Sequence, residues 1–280
     1  MKRINGRWLV PVLLAGSILI ALNQAYCSAL DNFKGLEGTI SIAGGTAHIP
    51  VMNDEAKNIM TFNPAVKITV EGGGTGVGVQ KVGEGLVDIG NTGRALSPEE
   101  VQKYGLKSYP FALDGVATVV NPRNSVSDLT AEQIIDIFAG KITNWKEVGG
   151  KDAAIHLFSR DEASGTREVF WEKQLKKGTV AASANIVPSN GAMKVAVAQD
   201  PDAIGYVSIG HVDDTVKAIK LAGIAASQEN AMNGSYPIVR KLYMNTKGDP
   251  NKLVKAFIDY ILSPDGAEII KRHGYIPLQQ

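Results

Sequence analysis

The sequence has a single cysteine, Cys27, and this excludes an intramolecular disulfide bond. Its four histidines are His48, His156, His211 and His273. They lack the spacing of metal ligands, so we expect each of them on the surface or hydrogen-bonded in a core. Also absent are the Gly-x-x-x-x-Gly-Lys-Ser/Thr loop of nucleoside-triphosphate sites and the Gly-x-Ser-x-Gly elbow of hydrolases. The sequence therefore predicts no metal, no cofactor and no enzymatic activity, with a triad assembled in space as the open alternative.

Long runs of one charge are missing as well. The chain has 29 Lys and Arg residues against 28 Asp and Glu residues, a net charge of +1. Without a basic stripe, neither nucleic acid nor an acidic membrane is expected as a partner. An anionic ligand would have to be held by local hydrogen bonds, because the protein offers no broad attractive field.

The N-terminus is typical of a secretory signal peptide. Lys2, Arg3 and Arg7 precede an apolar run at residues 8–22, and small residues follow this run. The run is about 15 residues long, which is short of the roughly 20 residues that span a bilayer.

We predict a signal peptide over residues 1–29, cleaved after Cys27 or after Ala29. Removing it leaves a mature chain of net charge −2. Lipoprotein anchoring through Cys27 and an uncleaved anchor are the alternatives. Tyr26 argues against the lipoprotein, because a small residue is expected just before a lipidated cysteine.

Predicted strands and helices alternate along the chain, which is typical of an α/β fold with a mostly parallel sheet. The strands are predicted at 38–43, 65–71, 86–90, 116–121, 155–159, 203–208 and 239–245. The helices are predicted at 50–61, 77–84, from 97 onward, and at 130–139, 167–177, 191–198, 251–262 and 264–273. Ligands of such sheets bind beyond the carboxyl ends of the strands.

Two extended segments, 109–121 and 236–245, are predicted to cross between two lobes. The first lobe would comprise residues 36–112 plus 238–280, and the second residues 113–237. A cleft between such lobes is the natural place for a small ligand.

The most informative stretch is residues 159–167. Arg160 stands four residues before Ser164-Gly165-Thr166, at the start of the predicted helix 167–177. A helix start leaves backbone N–H groups unpaired and carries the positive end of the helix dipole. With the guanidinium as a clamp, this arrangement suits a tetrahedral oxyanion. An ordinary capped helix beside a surface arginine is the alternative interpretation.

Several further segments stand in register with that stretch. They are the Gly-Thr loop at 44–47, Gly-Gly-Gly-Thr-Gly at 72–76, Val-Asp-Ile-Gly at 87–90 with Arg94 after it, Leu-Thr at 129–130 through Asn-Trp at 144–145, and Ala-Ile-Gly-Tyr-Val at 203–207. Over residues 38–278 the chain thereby resembles the periplasmic phosphate-binding proteins of ABC-type phosphate importers, in the shorter branch of that family.

The resemblance implies a two-lobed type II binding-protein fold, in which each lobe is a mostly parallel sheet flanked by helices and two crossover segments join the lobes. It also implies a periplasmic monomer that closes on inorganic phosphate and delivers it to membrane-embedded ABC importer subunits. Carried over to this chain, the phosphate-binding residues are Thr46, Ala47, Thr75, Arg160, Ser164, Gly165 and Thr166. Further candidates are Gly93, Arg94 and Asn190. Glu162 resembles the acid that fixes Arg160, or is a solvated loop residue.

The chain departs from the family at two positions. Some members carry an acidic residue at the place of Gly93, where it accepts a hydrogen bond from protonated phosphate and rejects sulfate. Gly45 replaces a frequent serine and removes one hydroxyl. Arg94 either faces the ligand or, as we prefer, pairs with a carboxylate such as that of Asp88.

These departures keep other functions open. The protein is expected to be a phosphate receptor. The alternatives are a receptor for sulfate, arsenate, molybdate or tungstate, a secreted phosphoester hydrolase that uses Ser164, and a sensor that transports nothing.

Overall fold

The computed structural model of the protein describes residues 28–278. Residues 1–27, with Cys27 and most of the predicted signal peptide, lie outside the described residues. Among the helices of the described range, none has the length and apolar character that a bilayer crossing requires.

Strands and helices alternate over most of the described chain, as the sequence predicts. The strands are β1 Gly38–Gly44, β2 Val66–Gly73, β3 Ile89–Thr92, β4 Leu106–Val120, β5 Asp128–Leu129, β6 His156–Arg160, β7 Asn185–Val187, β8 Ala203–Ser208, β9 Lys217–Ala218, β10 Lys220–Leu221, β11 Val239–Lys247 and β12 Ile276–Pro277. The α-helices are α1 Ile49–Phe62, α2 Thr75–Glu84, α3 Pro98–Tyr104, α4 Ala131–Phe138, α5 Gly165–Lys173, α6 Asn190–Gln199, α7 Gln228–Met232, α8 Lys252–Ile261 and α9 Pro264–Arg272. Short 3-10 helices lie at Ala29–Phe33, Trp145–Val148 and Ile209–His211.

Ten strands form one continuous sheet. Its order is β2-β1-β3-β11-β4-β8-β6-β7, with β9 and β12 also paired to β4. The outer strands are parallel, β1 with β2 and β3, and β6 with β7 and β8. The central strands β4 and β11 run antiparallel to their neighbours. The predicted parallel pairing is thus present on both sides of the sheet. The two central strands are antiparallel because the chain crosses from one side to the other along β4 and returns along β11.

Two separate hydrophobic cores lie on either side of this crossing. One is built from residues 33–112 and 242–275, and the other from residues 116–238. A third cluster covers the opposite face of β4, because successive side chains of a strand point to opposite faces. The predicted lobes, 36–112 plus 238–280 and 113–237, correspond to these cores in sequence but stay a prediction of domain organisation.

The helices at the carboxyl ends of β2 and β6 begin two residues earlier than the sequence predicts. Helix α2 begins at Thr75, directly after Gly74, whose φ of +90° suits glycine. Helix α5 begins at Gly165, because the Ser164 side chain accepts from the N–H of Arg167 and caps the helix. Both helices therefore present their first N–H groups from the glycine-rich loops themselves.

The loop before α2 meets the loop before α5 at close range. The N–H of Gly76 donates to the carbonyl of Ala163 at 3.0 Å. A Cβ at Gly74 would lie 2.6 Å from that same carbonyl oxygen. Glycine at position 74 thus lets elements from the two cores touch.

An unpaired carboxyl group lies in the first core. Glu55 of α1 is fully buried, and within residues 28–278 neither of its side-chain oxygens has a hydrogen-bond partner. Burial raises the pKa of Glu55 from 4.5 to about 9, with Asp54 and Asp265 acting in the same direction and Arg272 against it. The folded protein therefore holds a proton on Glu55 at neutral pH, and unfolding releases it.

This proton makes stability depend on pH. Between pH 4.5 and about 9 the folded state binds one proton more than the unfolded state, so Glu55 contributes a loss of up to about 1.4 kcal/mol of unfolding free energy per pH unit as pH rises. Glu55→Gln should flatten this slope in urea unfolding in phosphate-free buffer. Glu132→Gln, at an exposed position, is the control. Equal slopes in Glu55→Gln and wild type would show that Glu55 does not stay protonated.

Candidate anion-binding site

Three helix starts meet at one small cavity between the two cores. The space between its lining atoms is about 190 Å³, open solvent included. It is lined by Gly45, Thr46, Ala47, His48, Gly74, Thr75, Gly93, Arg160, Ser164, Gly165, Thr166 and Arg240. These residues include the starts of α2 and α5 and the loop before α1, so the cavity suits a small ion.

The structure brings together the residues that the sequence predicts as a site. All seven principal candidates line the cavity: Thr46, Ala47, Thr75, Arg160, Ser164, Gly165 and Thr166. Gly93 lines it as well, whereas Arg94 and Asn190 are not part of its wall. The role of these residues as ligand contacts stays a prediction.

Each of the four hydroxyl groups of the wall can donate a hydrogen bond to an acceptor in the cavity. The oxygen of Thr75 accepts from the N–H of Gly93 at 2.9 Å, and the oxygen of Ser164 serves as the cap of α5. The oxygens of Thr46 and Thr166 also accept from protein donors. Since each oxygen accepts from the protein, each hydroxyl hydrogen remains for an acceptor in the cavity.

Backbone N–H groups add to these donors. In the described part of the chain, no acceptor is bonded to the N–H groups of Thr46, Ala47, Thr75, Gly165 and Thr166. Those of α2 and α5 belong to first helical turns, which carry the positive end of the helix dipole. The wall thus offers many neutral donors at one point.

Arg160 supplies an unmatched positive charge. It ends β6 and is 1% exposed. Its Nη2 donates to the carbonyl of Pro188 at 3.0 Å, but its Nε and Nη1 have no partner in the part of the chain that the structure describes. Burial lowers the pKa of Arg160, and the charge of Asp161 opposes this effect. A buried guanidinium with two free donors is costly unless an anion occupies the cavity.

The exposed position of Glu162 matches the solvated alternative of the sequence analysis. No ion pair links Glu162 to Arg160 within residues 28–278. No carboxylate of the described residues forms an ion pair with Arg160. The positive charge of Arg160 therefore stays available to a ligand.

The sequence analysis missed a second arginine, Arg240 of β11. Its Nε and Nη2 contact the carboxylate of Asp114 at 2.9 and 2.8 Å, and both side chains are buried. Burial raises the pKa of Asp114, while Arg240 and a hydrogen bond from Ser208 oppose the rise. This pair is neutral overall, so Arg240 adds N–H donors to the cavity wall without adding net charge. Its neighbours two and four residues along the strand, Leu242 and Met244, are buried, and this alternation was the signal for a buried arginine.

His48 corrects the expectation that every histidine is on the surface or hydrogen-bonded. It is fully buried in the cavity wall, and neither ring nitrogen has a hydrogen-bond partner among the described residues. Burial lowers the pKa of His48 to about 3, with the charge of Arg240 acting in the same direction. Its ring is therefore neutral. His211 lies nearby with its Nε2 3.2 Å from the carbonyl oxygen of Thr46.

Arg94 lies outside the cavity, and its partner is not Asp88. Its guanidinium forms two 2.8 Å contacts with the carboxylate of Glu100 and a third with Glu168 of α5. Asp88 instead accepts from the N–H and hydroxyl of Ser41. The expected pairing of Arg94 with a carboxylate is thus present, but the choice of Asp88 was wrong because the partners come from α3 and from the other core.

Asn190 lies behind the wall. Its Nδ2 donates to the hydroxyl oxygens of Thr46 at 3.0 Å and Thr166 at 3.3 Å, and its Oδ1 accepts from the N–H of Ser208. One buried side chain thereby holds hydroxyls that belong to the two cores. Within residues 28–278, no three His, Cys, Asp or Glu side chains are grouped so that they could hold a metal ion.

Comparison with known proteins identifies the family. Residues 34–265 match the model of a PBP superfamily domain. The chain is 36% identical to the phosphate-binding protein PstS of Bacillus subtilis over 285 residues, which cover 98% of this chain and 95% of that protein. It belongs to the PstS family within the PBP superfamily. The PstS protein of Pseudomonas aeruginosa strain PAO1 is 29% identical over 94% of this chain and 90% of its own length.

Solved structures confirm the α/β type II fold. A structure from Clostridium perfringens, described as a phosphate ABC transporter substrate-binding protein with bound phosphate, superposes with a TM-score of 0.81 at 38% identity. It covers 86% of this chain and all of the other chain. An ABC-type phosphate transport receptor from Vibrio cholerae has a TM-score of 0.68 at 34% identity, over 85% of this chain and 99% of the other. The PstS relatives are named as binding proteins, in agreement with the absence of catalytic motifs from the sequence.

The buried pair next to the cavity yields a test of stability. Asp114→Asn would leave the Arg240 charge buried without its partner, so we expect a loss of about 3–5 kcal/mol of unfolding free energy. Urea unfolding in phosphate-free buffer measures it. Asp136→Asn, which breaks the exposed pair with Lys141, should cost under about 1 kcal/mol. A similar small cost for Asp114→Asn would show that the pair does not carry a buried charge.

Proposed function

We propose that this PstS-family protein captures inorganic phosphate in the closed cavity and delivers it to the membrane-embedded subunits of an ABC importer. The observation that carries the proposal is the buried Arg160, whose Nε and Nη1 have no partner among the described residues, in a cavity wall that also presents hydroxyl and N–H donors. The names of the PstS relatives and the phosphate bound in the Clostridium perfringens structure support phosphate as the ligand.

The number and kind of donors suit a small dianion. Four hydroxyls and several free N–H groups replace the water that the ion loses, and the guanidinium of Arg160 supplies one positive charge. Neutral donors hold the second negative charge without a second counter-ion, since the charge of Arg240 is already matched by Asp114. The wall is therefore suited to binding with no chemical step. Within residues 28–278 no histidine is hydrogen-bonded to Ser164, so the hydrolase alternative gains no support from this side chain.

Closure of two lobes would complete the site. Thr46 and Thr75 belong to the first predicted lobe, and Arg160, Ser164 and Thr166 to the second. Contacts across the proposed interface include Asn190 to Thr46, Gly76 to Ala163 and Arg94 to Glu168. The crossing strands β4 and β11 would act as the hinge, and the importer would distinguish closed from open protein.

The remaining parts of the proposal concern location and assembly. We propose that residues 1–29 direct the chain to the periplasm, where the mature protein acts as a monomer without cofactor, metal or nucleic acid. Another tetrahedral oxyanion is the second candidate ligand. It is favoured by one observation, the lack of a carboxylate among the residues that line the cavity.

Arg160→Met tests the site directly. The change keeps much of the side-chain volume and removes the charged donors, so phosphate binding should weaken by at least about 2 kcal/mol. Isothermal titration of the mature protein measures the affinity. Arg123→Ala, at an exposed arginine, should bind as wild type does.

The stability of the same variant separates folding from binding. Because Arg160 has no carboxylate partner among residues 28–278, Arg160→Met should not lower the unfolding free energy in phosphate-free buffer. Unchanged affinity in a folded variant would remove Arg160 from the site, and no phosphate binding by the wild type would refute the proposed function.

The contact between Arg94 and Glu168 tests closure. The side chains are 25% and 40% exposed, so the pair is worth at most about 1 kcal/mol. Glu168→Gln should therefore raise the phosphate dissociation rate by no more than about fivefold, because the closed form loses one contact. Stopped-flow dissociation measures this rate. Glu172→Gln, whose pair with Lys177 lies within the second lobe, should dissociate at the wild-type rate, and identical rates for all three proteins would exclude a role in closure.

A further inference from the structure

The cavity wall lacks an obvious acceptor for a ligand hydrogen. No Asp or Glu is among the residues that line it. The hydroxyl oxygens of Thr46, Thr75, Ser164 and Thr166 already accept from the protein. Monohydrogen phosphate has one O–H, whereas sulfate has none, and an O–H buried without an acceptor is costly. The lone pairs that remain on Thr75 and Ser164 belong to oxygens that already accept one hydrogen bond, so an unused acceptor elsewhere in the wall would be the stronger partner for this O–H.

His48 is a buried side chain of the wall whose polar atoms are both unused. It is fully buried, and its Nδ1 and Nε2 have no hydrogen-bond partner. A neutral imidazole has one N–H donor and one nitrogen lone pair. The backbone carbonyls of Tyr243, Gly45 and Thr92 lie near enough to raise the pKa of the ring, although they fall short of hydrogen-bond geometry. A neutral ring has a single N–H to direct toward these carbonyls, so one of its two nitrogens keeps its lone pair.

The place of the ring depends on Gly45. A Cβ at position 45 would lie 2.6 Å from Nδ1 and 2.8 Å from Cε1 of His48. The imidazole thus occupies the space that a side chain at position 45 would need. His48 therefore forms the part of the cavity wall next to Gly45.

The charge of the surroundings keeps the imidazole neutral. Arg240 is the charged side chain that acts on His48, and together with burial it lowers the pKa of the ring to about 3. Phe111 packs on the ring, with 5.5 Å between centroids. A neutral acceptor also has an electrostatic advantage over a carboxylate. It adds no third negative charge beside a dianion that faces a single unmatched guanidinium.

We infer that the neutral imidazole of His48 accepts the hydrogen bond from the O–H of monohydrogen phosphate, and that it thereby distinguishes phosphate from sulfate. The inference rests on the proposed function, since it assigns the selectivity of that same site. It also gives a role to the departure at Gly93, because the acceptor has moved from that loop to the start of α1.

The test compares phosphate and sulfate binding by isothermal titration at mildly alkaline pH. His48→Phe keeps a ring beside Gly45 but removes the acceptor. Phosphate affinity should fall at least about tenfold, equivalent to about 1.4 kcal/mol, and sulfate affinity should not fall. His48→Asn and His48→Gln place an amide oxygen near Nδ1 or Nε2, and one of them should restore selectivity. His156→Phe, at an exposed histidine paired with Asp200, should leave both affinities unchanged.

A measurement on the wild type tests the inference even if the His48 variants do not fold. With ¹⁵N-labelled histidine, the unprotonated nitrogen of His48 should shift in the NMR spectrum on addition of phosphate and not of sulfate. An unchanged phosphate-to-sulfate ratio in folded His48→Phe, or no phosphate-specific shift, would overturn the role of His48 while phosphate binding itself stands. Failure of the wild type to bind phosphate would refute the proposed function as well.

Discussion

The site is organised around a buried guanidinium that the protein does not neutralise. Two hydrogen bonds fix the position of Arg160. Its backbone N–H donates to the hydroxyl of Tyr206 at 3.1 Å, and its Nη2 donates to the carbonyl of Pro188. Its Nε and Nη1 have no hydrogen-bond partner among the described residues. An uncompensated charge of this kind destabilises the closed, empty protein. The arrangement is therefore understandable only together with an anion that completes it.

Arg160 and Arg240 border the same cavity but differ in electrostatic role. Arg240 has its own carboxylate, Asp114, which in turn accepts from Ser208. It shapes the wall and orients the hydroxyl of Thr166. Arg160 has no such partner, so one net positive charge faces the ligand. The balance of one charge and many neutral donors would let a dianion leave again, which a protein that passes its ligand on requires.

The sequence predicts the local parts of the site well. Ser164-Gly165-Thr166 lies at a helix start because capping and glycine conformation are local properties, and the same holds for the loops at 44–47 and 72–76. Tertiary partners were harder to predict. Arg94 pairs with Glu168 across the two cores, and His48 becomes an unpaired wall residue only through the space left by Gly45. The burial of Arg240 could have been predicted from the sequence, because alternation along β11 places it on the buried face with Leu242.

Under the proposed function, these features would couple binding to closure. Asn190 joins the hydroxyls of Thr46 and Thr166, so donors from both cores are oriented by one side chain only when the cores meet. In an open form, water would satisfy Arg160 and the free N–H groups, whereas in a closed form without ligand they are left unpaired. An anion would therefore stabilise the closed form selectively, and by no more than its difference in affinity for the two forms. The same unpaired donors that give affinity would thus keep the empty protein from closing.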